Sequence, residues 1–352
     1  MIDITTNIKI AVAGCGSAGR QNIRAFLNID EVEISACCDT EEEIARVTAA
    51  EFGIADFYTD VKKMLDEKSF DALVVAVPDN EHLPVAIEAL SRGVHVFCEN
   101  PLASDYPQAV ELARAARESE LTAMVNSSVL YSPLVSSVLK YIKEGHLGRI
   151  KFFEASIMQN KLETGILDDP YEEKRLLWRL SSAAGSGGAI SELGYNLYNV
   201  ASEICGMPKE VSSAIYNISG FDSIEEYQEL DLTSGDTFVC SVTFGDDIAG
   251  LIKGSWMSSG PYEQFTLSIH GEEAAIILDT VASENSFTVY NNGHRETINA
   301  ESIAERNLHE VFVSAIKGEC SPVSDFDHAL KIQHFIEQSR LSAEGGLKLE
   351  FD

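Results

Sequence analysis

The segment Gly14-Cys15-Gly16-Ser17-Ala18-Gly19 has the composition and spacing of a turn that cradles a pyrophosphate. Glycine at 14 permits a tight turn, glycine at 16 lets backbone amides approach a phosphate, and glycine at 19 lets a helix pack closely on a strand. The helix that follows brings unpaired N–H groups and a partial positive charge to that phosphate. Asp39 lies twenty residues beyond Gly19, the spacing of a carboxylate that accepts hydrogen bonds from an adenosine ribose. A carboxylate there repels a 2′-phosphate, so NAD is expected and NADP disfavoured. A second group of chemically able residues recurs at helical spacing between Gly188 and Ile204. Ile190, Leu193, Leu197, Val200 and Ile204 form one apolar stripe, while Glu192, Asn196, Asn199 and Glu203 share another face. That face reads either as solvated helix surface or as an active-site lining. In the second reading a partly buried Glu192 with a raised pKa serves as acid/base. Tyr195 and Tyr198 read as packing residues or proton carriers.

These residues need a scaffold. Ile8 to Ala13 reads as a strand, Arg20 to Ile29 as a helix, and the run from Val32 to Asp39 as a second strand. Short apolar runs then alternate with helical periodicity up to about Ser127, the signature of parallel βαβ units. Asp71 to Pro78 is nearly continuous in apolar residues, as expected for a strand covered on both faces. His82 to Arg92, Ser104 to Ser119 and a stretch opened by Ser132-Pro133 read as helices. After Gly148 the texture turns β-rich, at 150–159, 211–219, 236–244, 248–258, 263–270, 274–279 and 286–291. Gly245-Asp246-Asp247 and Asn291-Asn292-Gly293 read as hairpin turns. Helices are expected at about 187–205, 302–317 and 326–343. The sequence therefore predicts an α/β chain: a doubly wound parallel Rossmann domain over 1–127, then an α+β domain over 128–352 with a large, mostly antiparallel open sheet.

Composition sets limits. The 352 residues, 45% hydrophobic, are enough for two domains with real cores. A formal net charge of −30 argues against nucleic acid or an anionic membrane as partner. Salt adaptation and a strongly solvated acidic surface both account for that charge, and neither bears on the reaction. The cysteines at 15, 37, 38, 98, 205, 240 and 320 show no CxxC or Cys/His ligand spacing, and His270, His294, His309, His328 and His334 are scattered, so no metal is expected. Core thiols, no leader-like start and no apolar run of membrane-spanning length predict a cytoplasmic protein.

The motifs in their order resemble the Gfo/Idh/MocA oxidoreductases, which include glucose–fructose oxidoreductase and inositol dehydrogenase. The resemblance spans essentially the full length. It rests on Gly14 to Gly19, Pro78-Asp79-Asn80-Glu81-His82, Cys98-Glu99-Asn100-Pro101-Leu102-Ala103, Trp178-Arg179, the stretch Gly187 to Asn196, Gly254-Ser255-Trp256 and the closing Gly318–Pro322–Asp325 pattern. It implies a cofactor site built from Gly14, Cys15, Gly16, Ser17, Ala18, Gly19, Asp39, Pro78, His82 and Glu99, with His82 near the nicotinamide or capping a helix. Trp178, Arg179 and Tyr195 become candidate substrate contacts, although a surface arginine is the simpler reading of Arg179. In that family a lysine after the fifth strand faces the nicotinamide; here the position is Asn100. An aspartate and, four residues on, a histidine handle the substrate hydroxyl; here they are Glu192 and Asn196. Asn199 and Leu130 replace a further aspartate and an arginine.

Oxidising an alcohol requires loss of a hydride and of the hydroxyl proton, and a positioned base contributes about 10²–10⁴-fold. An asparagine holds a hydroxyl but has no proton to exchange near neutral pH. The resemblance thus implies an NAD-dependent oxidoreductase of a sugar, cyclic polyol or sugar derivative, with Glu192, Asn100 and Asn196 as its altered catalytic set. Two other functions fit the same residues: a cofactor-binding sensor without catalysis, and a glycosidase or lyase that oxidises transiently and regenerates its NAD. Lys161 to Lys174 is expected to be the specificity loop. The open sheet needs a cover, so a homodimer or homotetramer is expected.

Overall fold

The computed structural model describes residues 7–162, 177–221, 225–300 and 307–351. Of the expected specificity loop, residues 163–174 lie outside them. The chain divides into two compact units, Met1–Ser127 with Arg306–Gln333, and Ser128–Glu305 with His334–Asp352.

The first unit alternates strand and helix: β1 Ile8–Ala13, α1 Ser17–Leu27, β2 Val32–Cys38, α2 Glu42–Phe52, β3 Asp56–Tyr58, α3 Val61–Glu67, β4 Ala72–Val75, α4 His82–Ser91, β5 His95–Cys98, α5 Tyr106–Ser119 and β6 Ala123–Val125. The strands form one parallel sheet in the order β3-β2-β1-β4-β5-β6. Its middle is apolar because both faces are covered: β4 and β6 are buried throughout, and Lys9 is the one exposed residue of β1. The order reverses between β1 and β4, and at such a switch point the loops beyond the strand ends separate to leave a crevice. Asp60 and Asp105 start α3 and α5 by accepting backbone N–H groups.

In the second unit come α6 Pro133–Lys143, β7 Ile150–Gln159, α7 Gly188–Cys205, β8 Pro208–Tyr216, β9 Thr237–Phe244, β10 Ile248–Ser255, β11 Glu263–Gly271, β12 Ala275–Asp279, β13 Ser286–Asn291 and β14 His294–Asn299. The chain then returns to the first unit with α8 Leu308–Ile316, passes through α9 Phe326–Gly345, whose residues up to Gln333 also belong there, and ends in the second unit with β15 Leu349–Glu350. Among the described residues the sheet runs β14-β13-β12-β11-β7-β10-β9-β8-β15, antiparallel except where β7 pairs with β10. Asn292 and Gly293 both have positive φ (47° and 81°), the geometry of a tight hairpin, and the partner strand β14 went unread in the sequence because its HRETIN is almost wholly exposed. The alternation in β9 puts Phe238, Cys240, Val242 and Phe244 on the buried face. Helix α7 lies on that face, and Gly254 of β10 makes the approach possible: a Cβ there would stand 2.6 Å from the Phe238 ring and 3.3 Å from Leu193.

Against the expectation of a single boundary after residue 127, Arg306–Gln333 belongs with the first unit. The reason is α8. Asn307 and Glu310 start it with a reciprocal capping box, and its Phe312 packs edge-on against Phe26 of α1 and Phe97 of β5.

Candidate active site

The glycine turn joins β1 to α1, and each glycine has a measurable reason. Gly14 sits at φ +92°, and a Cβ on it would lie 2.1 Å from the Ala76 carbonyl oxygen. A Cβ on Gly19 would lie 1.8 Å from the Gly14 carbonyl oxygen, so helix and strand touch through bare backbone. Gly16 differs, since a Cβ there would meet nothing within 4 Å. It is also the N-cap of α1 and supplies no side-chain cap, leaving the first-turn N–H groups without an internal partner. Gly16 and Ser17 are exposed beside this open space, Ala18 is half-buried and Gly19 buried. Cys15 contributes less than the sequence implied: its thiol is buried at 1% exposure and its N–H is taken by Asp39 Oδ2 at 2.9 Å. The hydrogen-bonded neighbour Cys37, and then burial, push that thiol far above its ordinary range, so it is inert as a nucleophile. Asp39 also accepts the Glu41 N–H at 3.0 Å, which braces its carboxylate at the end of β2. The arrangement fits a dinucleotide: an open, uncapped helix start, and a fixed carboxylate one strand away. Gly16→Ala should therefore keep the melting temperature and weaken NADH binding at least about tenfold, whereas Gly19→Ala should fail to fold stably. Thermal melts paired with NADH titrations separate the two outcomes.

The loops after β4 and β5 lie at the same sheet edge. Pro78 is exposed and opens the short turn Asp79–Glu81. His82 is not a free nicotinamide contact. It is 1% exposed, and its ring nitrogens lie 3.0 Å from the Val77 and Pro101 carbonyls, so it ties the two loops together. Burial pulls its imidazole down, against those two carbonyls. Glu99 Oε1 accepts from Asn22 Nδ2 at 2.6 Å and Asn126 Nδ2 at 2.9 Å. Asn100 donates to the Asn126 carbonyl at 3.1 Å, and its buried Oδ1 has no partner among the described residues.

In the second unit α7 begins at Gly188, whose φ of +70° and crowding by the Ser234 and Gly235 carbonyls admit glycine alone. Ala189 N–H donates to the Gly235 carbonyl at 2.9 Å and fixes the start. One turn on, Glu192 is gripped by two cations. Lys161 Nζ bonds its Oε1 and Arg179 bonds its Oε2. The Glu192 side chain is 23% exposed and the Lys161 side chain 14%. Lys161 also sits over the Trp256 ring (5.5 Å) and Arg179 over Trp178 (5.2 Å). The turn Trp178–Leu180 presents Arg179, and Leu162 N–H donates to the Trp256 carbonyl, anchoring the chain beside Lys161. Asn196 Oδ1, Gln159 Oε1 and Trp256 Nε1 are buried without a partner among the described residues. Cationic donors on Lys161 and Arg179 beside the buried, unpaired acceptor of Asn196 on the same helix face as Glu192 suit a hydroxyl-bearing ligand.

Known proteins place the chain. A family model described as "Oxidoreductase family, NAD-binding Rossmann fold" matches residues 8–127, and the "GFO/IDH/MocA C-terminal domain" matches 135–277. The chain belongs to the Gfo/Idh/MocA oxidoreductase family. Its curated relatives include levoglucosan dehydrogenase of Pseudarthrobacter phenanthrenivorans, 23% identical over 78% of this chain and 74% of that one. D-glucoside 3-dehydrogenase of Escherichia coli is 22% identical over 97% of both chains. Among solved structures, levoglucosan dehydrogenase in complex with NADH and levoglucosan superposes with a TM-score of 0.85 at 18% identity, covering 98% of this chain and 99% of that one, a likeness of fold.

Within this family member the sequence reading of the α7 face needs three corrections. Glu192 does not have a raised pKa: burial pushes it up, but Arg179 and Lys161 outweigh burial and hold it below the usual carboxylate range. It is an ionised anchor, not a general acid. Asn199 is fully buried and its amide donates to the Tyr195 carbonyl at 2.8 Å, because α7 is a central helix covered nearly all round. Tyr195 is also fully buried, a core residue in place of the expected substrate contact, whereas Tyr198, stacked on Phe335 at 3.8 Å with its hydroxyl near Cys240 and Ser339, follows the packing reading. Arg179 is bound into the cluster and is no plain surface arginine. Lys161 went unread as a functional group, since its partner lies 31 residues away. The local cue was a cation two residues past the end of a buried strand.

Proposed function

We propose that this protein is an NAD-dependent oxidoreductase of a sugar, cyclic polyol or sugar derivative, and that Lys161 exchanges the substrate's hydroxyl proton. One observation carries this reading: Lys161 and Arg179 share a single carboxylate on α7, at the helix position where the family resemblance expects proton chemistry. Asn100 and Asn196 hold hydroxyls but move no proton. Glu192, pulled low, is a weak base. The three charges sum to +1, so loss of a proton from Lys161 leaves a neutral Glu192–Arg179 pair. Arginine stays charged and cannot take the same role.

In this reading Gly16, Ser17 and Ala18 hold the pyrophosphate, Asp39 the adenosine ribose, and Glu99 with Pro78 the nicotinamide end. Bound NAD supplies hydride acceptance. Lys161, as the neutral amine left after it has given up its own proton, would take the hydroxyl proton as the carbinol C–H is lost; Glu192 would orient Lys161, and Asn196 would accept from a neighbouring hydroxyl. Trp178, half-buried, offers a flat apolar surface of the kind that sugar rings pack on, while Trp256 is buried beneath Lys161 and supports it. Asp39 favours NAD over NADP.

Glu192→Gln tests the division of labour. As an orienting residue it should lower turnover about tenfold, well short of the 10²–10⁴-fold expected of a lost base. A full 10⁴-fold loss with Lys161 intact would return the proton to Glu192.

The same reading includes a dimer. The sheet face opposite α7 carries Val239, Leu251 and Ile277 among Ser241, Thr243, Thr266 and Ser268, with Val239 38% and Ile277 37% exposed. The face also carries the Lys253–Glu154 ion pair, and a sheet face of mixed apolar and polar residues with no covering helix among the described residues is suited to a second copy. Sedimentation should show a dimer or tetramer, and Val239→Arg should shift it toward a monomer. A wild-type monomer of 38.4 kDa at micromolar concentration contradicts this.

A further inference from the structure

The first unit holds a buried polar chain that starts far from the glycine turn in sequence. His309 Nε2 lies 2.9 Å from Asn22 Oδ1. The Asn22 amide group, 2% exposed, spends both its N–H bonds, on the Ala18 carbonyl at 2.9 Å and on Glu99 Oε1 at 2.6 Å. Asn22 can therefore only accept from His309, and His309 must carry its proton on Nε2. Burial supports the same neutral form by pushing the imidazole down to about 4. Phe26 meets the imidazole edge-on at 4.6 Å and Phe97 stacks on it at 5.3 Å, which fixes the ring. Without that donor nothing in the network distinguishes the oxygen from the nitrogen end of the Asn22 amide except its own two bonds.

We infer that His309 is a positioning residue for the dinucleotide: it locks the Asn22 amide, and through it the Glu99 carboxylate and the first turn of α1 at Ala18. The inference rests on the assignment of Glu99 and the glycine turn to the cofactor. It gives α8, a C-terminal element, a function at the N-terminal glycine turn.

NADH affinity, read by fluorescence titration or calorimetry, tests this without any substrate. His309→Phe keeps the ring stack and removes the donor; it should weaken NADH binding about tenfold. Asn22→Ala should weaken it similarly, and the double variant should be no worse than Asn22→Ala alone, because one acts through the other. His309→Gln, which restores an N–H donor, should recover part of the affinity, and serves if the phenylalanine variant does not fold. Wild-type affinity in folded His309→Phe, or losses that multiply in the double variant, would overturn the inference. Wild-type protein that binds no NADH would instead overturn the cofactor assignment itself.

Discussion

Lys161→Met should lower turnover on an accepted polyol about 10²–10⁴-fold while NADH affinity stays unchanged. Methionine keeps length and apolar contact with Trp256 but has no proton to exchange. The loss should fall on kcat with only a small change in KM, because Asn196 and Arg179 still hold the ligand. Lys161→Arg is the sharper companion: it preserves the charge beside Glu192 and should be nearly as impaired, since guanidinium does not release its proton. Near-normal turnover in Lys161→Arg would mean that charge, not proton exchange, is the contribution of this side chain.

Acid should destabilise the first unit before its carboxylates are protonated. The His309 folded-state value of about 4 lies below the unfolded 6.5, so between these values the unfolded chain binds the extra proton. The contribution is fully present above pH 6.5 and lost as pH falls toward 4, amounting to about 3 kcal/mol across that window. His82 shifts in the same direction, also through burial. Glu192 is lowered as well, held down by Arg179 and Lys161 against burial, so its stabilisation has the same sign and fades only as pH falls below the unfolded value of 4.5. Urea midpoints at pH 7 and pH 5 should therefore fall more steeply for wild type than for His309→Phe. Equal slopes would show that His309 is protonated freely in the folded state.

The cofactor half was legible in the sequence because its logic is local. Gly14, Gly16, Gly19 and Asp39 act through backbone conformation and strand order, and both are written in nearest neighbours. The β-strands of the second unit were legible for the same reason, through period-2 alternation. The β14 strand escaped notice because exposed polar residues carry no such signal. Glu192 was found, but its chemistry was misjudged, since its charge state depends on Lys161 and Arg179, which come from other turns of the chain. His309 looked like one of several scattered histidines, because its meaning lies in Asn22, 287 residues away. Long-range charge and hydrogen-bond partners are properties of the packed chain, and single-residue patterns do not encode them.

The central claim, net oxidation driven from this site, is tested most directly by the stoichiometry of NADH formed to keto product across a panel of cyclic polyols, sugars and sugar acids. The predicted result is one NADH per carbonyl formed with at least one member of the panel. Tight NAD binding with no NADH from any member, or product released with no net NADH, would contradict it.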